Sequence, residues 1–319
     1  MIRRILGLVA AAALLGASFG AQAQGKWPEK PIRVIVPFGP GGSSDLLARM
    51  VQQANQEQKL VDQPITVINQ GGHFSVGATQ VKNADPDGHT FLLLHIALLS
   101  GEILDPARKL SYRDFEPVAL TGGFCVYPVV MENSKFKSLD DLMKEAQANP
   151  NSIIFGVNIG AINHMAGVML EQTRPGAKFR FVQIGGGAEN YAALKGGQTQ
   201  VAVLSDSEYQ NFKGGGVRAL GYTGPKRADA EPGIATVREQ GYDFDFCVNS
   251  YWFAPKGTPK AATEGMADLL QKAMQSQTMR DGMKKLSLST EFMRGDEFRK
   301  NLDDTFKAIE PVAKAARPQ

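Results

Sequence analysis

Three glycine-rich segments offer backbone N–H groups where an anion could be held. They are Phe38-Gly39-Pro40-Gly41-Gly42-Ser43-Ser44, Gly156-Val157-Asn158-Ile159-Gly160-Ala161-Ile162 and Gly185-Gly186-Gly187. Each follows a short apolar run (31–36, 153–155 and 179–184) and precedes a helical pattern. Such a turn collects N–H groups at the positive end of a helix dipole, which suits an anion. One alone is often only a tight turn. Three on alternating strands and helices favour a cleft, because ligands of open α/β sheets sit beyond the carboxyl ends of the strands. No Lys or Arg lies in these loops, so N–H groups and water must neutralise any anion held there.

Other chemistries fail on detail. Gly39 to Ser44 starts like G-x-G-x-x-G but ends in Ser, and no Lys follows as a phosphate-binding loop requires. There is no G-x-S-x-G elbow around Ser43 and Ser44, and His73, His89, His95 and His164 form no H-E-x-x-H pair. His89, after Pro86-Asp87-Gly88, reads as a solvated turn residue. His95, at the end of a strand over 90–94, suits a cleft wall or a core position equally. The role of His164 is structural or electrostatic. Asp206 reads as a helix cap, with contact to a ligand ammonium as the alternative. Cys125 and Cys247 sit in apolar, strand-like contexts, against a Cys–His nucleophile. A disulfide between them and two buried thiols are both open readings.

The elements that position these residues alternate. Strands are expected at 31–36, 65–68, 90–94, 153–155, 179–184, 201–204 and 217–222. Helices are expected after Ser43 or Ser44 as N-cap with Asp45 in the first turn, at 78–84, at 139–148 behind Ser138, after Asn163 as cap, at 188–195, and briefly after 205–207. This argues an α/β fold with mainly parallel sheets. Residues 260–319 carry two amphipathic patterns, 267–274 and 296–315, with no strand after Phe253, and are expected to cover the first sheet. Tyr251-Trp252-Phe253 reads as core. Two βα sets, joined near Cys125 and again near Cys247, imply two lobes connected by two crossings.

Composition bounds the class. The 319 residues (34.5 kDa) are 43% hydrophobic and 21% charged, a globular profile. Residues 1–23 read as a signal peptide: Arg3 and Arg4, an apolar stretch over 5–15, and Ala21-Gln22-Ala23 as the cleavage site. The stretch is too short for a membrane anchor. Its removal leaves 33 basic against 32 acidic residues, a net charge of +1, which argues against nucleic acid or a polybasic membrane contact. The expected chain is exported and cleaved after Ala23. Lobe 1 is expected at 24–124 with 249–319, and lobe 2 at 125–248.

Further motifs carry a resemblance. They are Trp27-Pro28 through Val36-Pro37-Phe38 with Gly41-Gly42 and Asp45, then Pro86-Asp87-Gly88-His89-Thr90, Asp114-Phe115-Glu116-Pro117-Val118, and Gly156 with His164. Gly186, Gly196-Gly197-Gln198, Val217-Arg218-Ala219-Leu220, and Trp252-Phe253 before Ala254-Pro255-Lys256-Gly257-Thr258-Pro259 continue the series. Together they resemble, in order and over essentially the whole mature chain, the solute-binding proteins of the tripartite tricarboxylate transporter family (the Bug receptors). The resemblance implies a type II, Venus-flytrap periplasmic binding protein, two βα lobes joined by two crossing strands. It also implies a monomer that closes on a small organic carboxylate and delivers it to integral-membrane permease subunits, without catalysis, cofactor or metal.

The candidate ligand-binding set follows. In the first lobe it is Phe38, Gly41, Gly42, Ser43, Ser44, Asp45, His73, Phe74, Ser75 and His95. In the second it is Asn158, Gly160, Ala161, Asn163, His164, Gln183, Gly185, Gly186 and Asp206. This chain departs from the family's pattern where the second-lobe loop, usually rich in Ser and Thr, reads Val157 to Asn163. It departs again where Ile184-Gly185 replaces the usual aromatic and basic pair. With His73, Phe74 and His95 making the first side ring-rich, the expected ligand is partly apolar or aromatic beyond its first carboxylate. The competing readings are a sensor receptor for a membrane kinase, a periplasmic hydrolase or isomerase using His95 and Asp206, and a structural module.

Overall fold

The computed structural model describes residues 27–315; the expected signal peptide lies outside them. Apolar and β-branched runs become the inner strands. β1 (Ile32–Val36) pairs in parallel with β2 (Ile65–Asn69) and with β3 (Thr90–Leu94). All five residues of β3 are buried, as a strand covered on both faces requires. β3 pairs antiparallel with β9 (Cys247–Pro255), which pairs with the first part of β4 (Phe115–Met131). β10 (Phe292–Arg294) closes that edge, giving the order β10-β4-β9-β3-β1-β2.

β4 is 17 residues long and serves a second strand set as well. Its later half pairs antiparallel with β7 (Ala202–Ser205) and β8 (Val217–Ala219). Beside them β5 (Ile154–Val157) and β6 (Arg180–Gln183) run parallel. The alternating pattern thus yields parallel pairs where helices connect the strands, but the sheet is mixed, because β4 and β9 cross between the sets antiparallel. At that crossing Cys125 and Cys247 face each other in register and form a disulfide. Close by, Trp252 is fully buried and its Nε1 donates to Thr121 Oγ1 at 2.6 Å.

The first set carries α1 (Ser43–Gln58), α2 (Phe74–Lys82) and α3 (Ala97–Leu104). The second carries α4 (Leu139–Ala148), α5 (Ile162–Thr173), α6 (Gly187–Lys195) and α7 (Asp206–Phe212). Ser138 caps α4 as expected, in a reciprocal capping box with Asp141. Other caps differ. Gly42 and Ala161 take the N-cap positions of α1 and α5, so Ser43, Ser44 and Asn163 stand inside the first turns. α2 begins earlier than its apolar spacing indicates, because the His73 side chain caps it by accepting from the Ser75 N–H. The tail holds three helices, α8 (Lys260–Met274), α9 (Gln277–Lys285) and α10 (Gly295–Ala315), with β10 between the last two, contrary to the expectation of two helices and no further strand. Only three residues long, β10 gives too short a run for period-2 alternation to register. α8 and α9 pack on α1, and α8 and α10 on β4. α10 also reaches the second set, where Gln172 Nε2 donates to Val312 O at 3.2 Å.

Candidate functional site

The loops at the carboxyl ends of β1, β3, β5, β6 and β7 converge on one small cavity of about 30 Å³. Phe38, Gly42, Ser43 and Ser44 reach it from the β1–α1 loop and the first turn of α1, and His95 from the end of β3. Asn158, Ala161, Ile162 and Asn163 come from the β5–α5 region, Gly186 and Gly187 from the β6–α6 turn, and Ser205 and Glu208 from the β7–α7 junction. Phe124 and Val126 of β4 and Val203 complete the wall. Gly41 makes the β1–α1 turn possible, at φ +83°, a conformation that side chains with a Cβ resist.

The two strand sets touch directly across this site. Ser43 Oγ and Ser205 Oγ share a hydrogen bond. Asn158 Nδ2 donates to Gly72 O at 2.8 Å, and its Oδ1 accepts from the Phe74 N–H at 3.3 Å. Ser100 Oγ donates to Gly160 O. Gly160, at φ +84°, lies so close to α3 that a Cβ there would stand 2.8 Å from Gly101 Cα. His73 Nδ1 accepts from Ser75 N–H, so its Nε2–H donates to Ile159 O at 3.1 Å. Burial, then Arg108 nearby, holds the His73 pKa below the usual histidine range.

The candidate residues fall into groups. Phe38, Gly42, Ser43, Ser44, His95, Asn158, Ala161, Asn163 and Gly186 line the cavity. His73, Phe74 and Gly160 lie outside it, in the contact between the sets, and Ser75 holds the His73 ring. Gly41 N–H donates to Asp45 Oδ2 at 2.8 Å, and Arg49 pairs with the same carboxylate, so Asp45 is turned back on its own loop. His164 Nδ1 accepts from Gly160 N–H, and Gln183 Oε1 from Ile159 N–H. Asn163 and Asn190 both donate to Gly185 O.

Two expectations are corrected. His89 is buried rather than solvated, bonding with Asp87 and accepting from the Glu29 N–H; the tight Asp87-Gly88 turn folds it back onto the chain. Asp206 does not cap α7, because Ser205 and Glu208 form the capping box. Its carboxylate instead accepts from Cys125 N–H, Tyr127 Oη and Tyr222 Oη. It lines a different hollow of about 720 Å³ beside the disulfide.

The electrostatics are set by burial. His95 stacks on Phe38 at 4.8 Å and meets Phe124 edge-on. Burial brings its pKa down to about 3 and that of His164 to about 4, so both rings are neutral near pH 7. His95 Nδ1 accepts from Ala97 N–H, which leaves Nε2 as its protonated, donating nitrogen. Burial pushes Asp206 up to about 6, against the Cys125 N–H and the Tyr222 and Tyr127 hydroxyls. Glu208 is also pushed up by burial, partly offset by bonds from Ser205 and the Ser43 N–H. A base with His95's pKa and an acid facing the other hollow cannot act as a pair, which removes the geometry that the hydrolase reading needs.

Sequence reasoning missed Glu208, Ser205, Phe124, Val126 and Val203 as cavity residues, while Ile162 and Gly187 fall within the glycine-rich loops it had singled out. Ser205-x-x-Glu208 was legible as a helix-start signal, but not that its carboxyl end faces the cavity. Among the described residues there is no group of three or more His, Cys, Asp or Glu placed to hold a metal ion, and no helix is long and apolar enough to cross a membrane.

Comparison with known proteins adds family and fold. Residues 47–317 match the family described as "Tripartite tricarboxylate transporter family receptor". Protein BugT of Bordetella pertussis is 30% identical over 288 residues, covering 86% of this chain and 85% of that protein. A UPF0065 protein of Pseudomonas sp. (strain P51) is 31% identical over 294 residues, 90% of this chain and 86% of the relative. Among solved structures, the periplasmic binding protein BugD superposes with a TM-score of 0.82 at 24% identity, covering 90% of this chain and 98% of that one. MatC of Rhodopseudomonas palustris, solved with malate, gives 0.80 at 24% identity, covering 90% and 100%. A further R. palustris protein, solved with adipate, gives 0.81 at 21%, covering 90% and 97%.

Proposed function

This chain belongs to the tripartite tricarboxylate transporter family of receptors, and from that premise we propose that it captures a small organic carboxylate in the periplasm and delivers it to a membrane permease. The family is one of solute-binding receptors rather than enzymes. The observation that carries the ligand reading is the convergence of five loops from both strand sets on one cavity lined by Gly42, Ser43, Ser44, Asn158, Asn163 and Gly186. Hydroxyl, amide and backbone donors of this kind bind a carboxylate without a fixed cation. Malate and adipate in structural neighbours support the same ligand class.

The mechanism is closure. Among the described residues the two strand sets act as the two lobes, 27–124 with 249–315 and 125–248, with β4 and β9 as the hinge. A cavity of about 30 Å³ holds roughly one water, so the lobes part to admit a ligand. The bonds from Asn158 to Gly72 and Phe74 and from His73 to Ile159 O are then broken and remade. The ligand drives closure to the extent that it binds the closed state better. One helix terminus contributes about 0.3–2 kcal/mol and a micromolar complex needs about 8, so hydrogen bonds and excluded water supply the remainder.

The test is a thermal-shift screen against mono-, di- and tricarboxylates, aromatic acids and amino acids. A ligand at about 100 times its dissociation constant should add roughly 2.7 kcal/mol of stability. The reading fails if no carboxylate shifts the transition of folded protein.

A further inference from the structure

Two acidic side chains of the second strand set reach across to the glycine loops of the first, and among the described residues no cation pairs with either of them. Glu208 is 7% exposed. It accepts from Ser205 N–H at 2.9 Å and from the Ser43 N–H across the site. A Cβ on Gly187 would stand 2.0 Å from its Oε2, and one on Gly42 3.1 Å from its Oε1. Glu189 leaves the first turn of α6, and its carboxylate lies against Gly39 and Gly71 on one side and Gly185 and Gly186 on the other. Added Cβ atoms on Gly39 and Gly71 would come within 2.7 and 2.9 Å of its Oε1. Its Oε2 is buried with no hydrogen-bond partner. These glycines keep open the space that the two carboxyl groups occupy.

Ion pairs in the described residues engage other carboxylates, such as Asp45 with Arg49 and Asp105 with Arg108; none involves Glu189 or Glu208. Buried charges persist when paired, and here the two carboxyl groups repel each other. A bare di- or tricarboxylate would add negative charge to that cage. A ligand with an ammonium group would supply the missing counter-charge.

Resting on the carboxylate-receptor reading above, we propose that Glu189 and Glu208 are the specificity residues of the cleft. The ligand is an amino carboxylate, its ammonium received by these two side chains and its carboxylate by the neutral wall of Ser43, Ser44 and His95. The neutral wall donates through the serine hydroxyls and the His95 Nε2–H, so each end of a zwitterion meets the matching chemistry. Glu208→Gln preserves the capping-box bond to Ser205 N–H, and Glu189→Gln preserves size, so both variants remain testable as folded protein.

The test is calorimetric titration of wild type and both variants with matched pairs: aspartate against succinate, phenylalanine against 3-phenylpropionate, and 4-aminobutyrate against butyrate. Wild type should bind the tighter amino member of at least one pair ten or more times better than its deaminated partner. Glu189→Gln or Glu208→Gln should cut that ratio at least tenfold while circular dichroism stays unchanged. Bare carboxylates binding as well as or better than their amino partners would overturn the inference and leave the receptor reading standing. A preference unchanged in both variants would overturn the assignment to these residues. Absence of binding by every carboxylate, amino or bare, would overturn both.

Discussion

Where the first strand set meets the cavity it presents Phe38, Ser43, Ser44 and His95, neutral groups set at the ends of β1 and β3. The second set presents Asn158, Asn163, Ser205 and Glu208, with Glu189 one glycine behind the wall. The supports differ as well. β1 and β3 lie inside a six-strand path and are buried almost throughout. β6, which leads to the Gly185–Gly187 turn, is exposed or half-exposed at all four positions. The buried strands β1 and β3 therefore carry neutral donors, and the turn beside Glu189 follows a lightly covered strand. Rigidity and selectivity are separable here, and each can be disturbed alone.

The largest disturbance should come from the packed half. Trp252→Ala removes a fully buried ring and its bond to Thr121, and should cost about 3–5 kcal/mol in urea unfolding. A cost below about 1 kcal/mol would deny the first set its role as the stable frame. Next comes the link between the halves. Replacing Cys125 and Cys247 together by Ser opens a cross-link spanning 122 residues and should cost about 2–4 kcal/mol. The same loss should appear in wild type on adding reductant. An unchanged midpoint would mean that the halves are held together without the disulfide.

The smallest effect distinguishes the halves by sign. His95 has a folded pKa near 3, below the free value of 6.5, so its share of stability is full above 6.5 and is lost as pH falls toward 3. Asp206 has a folded pKa near 6, above the free value of 3.8, so its share is full below 3.8 and is lost as pH rises through 6. His95→Gln should flatten the loss on acidification below about pH 6.5, and Asp206→Asn the loss between about pH 4 and 6. The readout is the slope of unfolding free energy against pH, compared with wild type. Equal slopes in wild type and Asp206→Asn would contradict the raised carboxyl pKa.

Much of the frame was legible because it rests on local signals. β1, β3, α4 and α6 follow from apolar runs, Ser138 and the glycine turns, and the structure places them within a residue or two. What escaped depends on distant chain segments. β10 is a strand only because Leu120 and its neighbours offer it an edge. The partnership of Cys125 with Cys247 requires the register of β4 on β9. The placing of Glu189 and Glu208 against Gly39, Gly42 and Gly71 needs both strand sets at once. Periodicity reads an acidic residue in a first turn as dipole complement; where its carboxylate ends is decided by the opposite wall. Ile184-Gly185, where the chain departs from the family's pattern, lies beside Glu189 only in the folded chain.

The crossing also fixes the order in which the two sheets can close as the chain is delivered from its N-terminus. β1, β2 and β3 come early in the chain, yet the partner on β3's open edge is β9, more than 150 residues later. β5 to β8 need nothing beyond β4 for their pairing. The half that appears second can therefore complete its sheet first, while the half that appears first waits with one edge uncovered. Until Pro255 is in place, the edge of β3 is the surface most open to pairing with another chain.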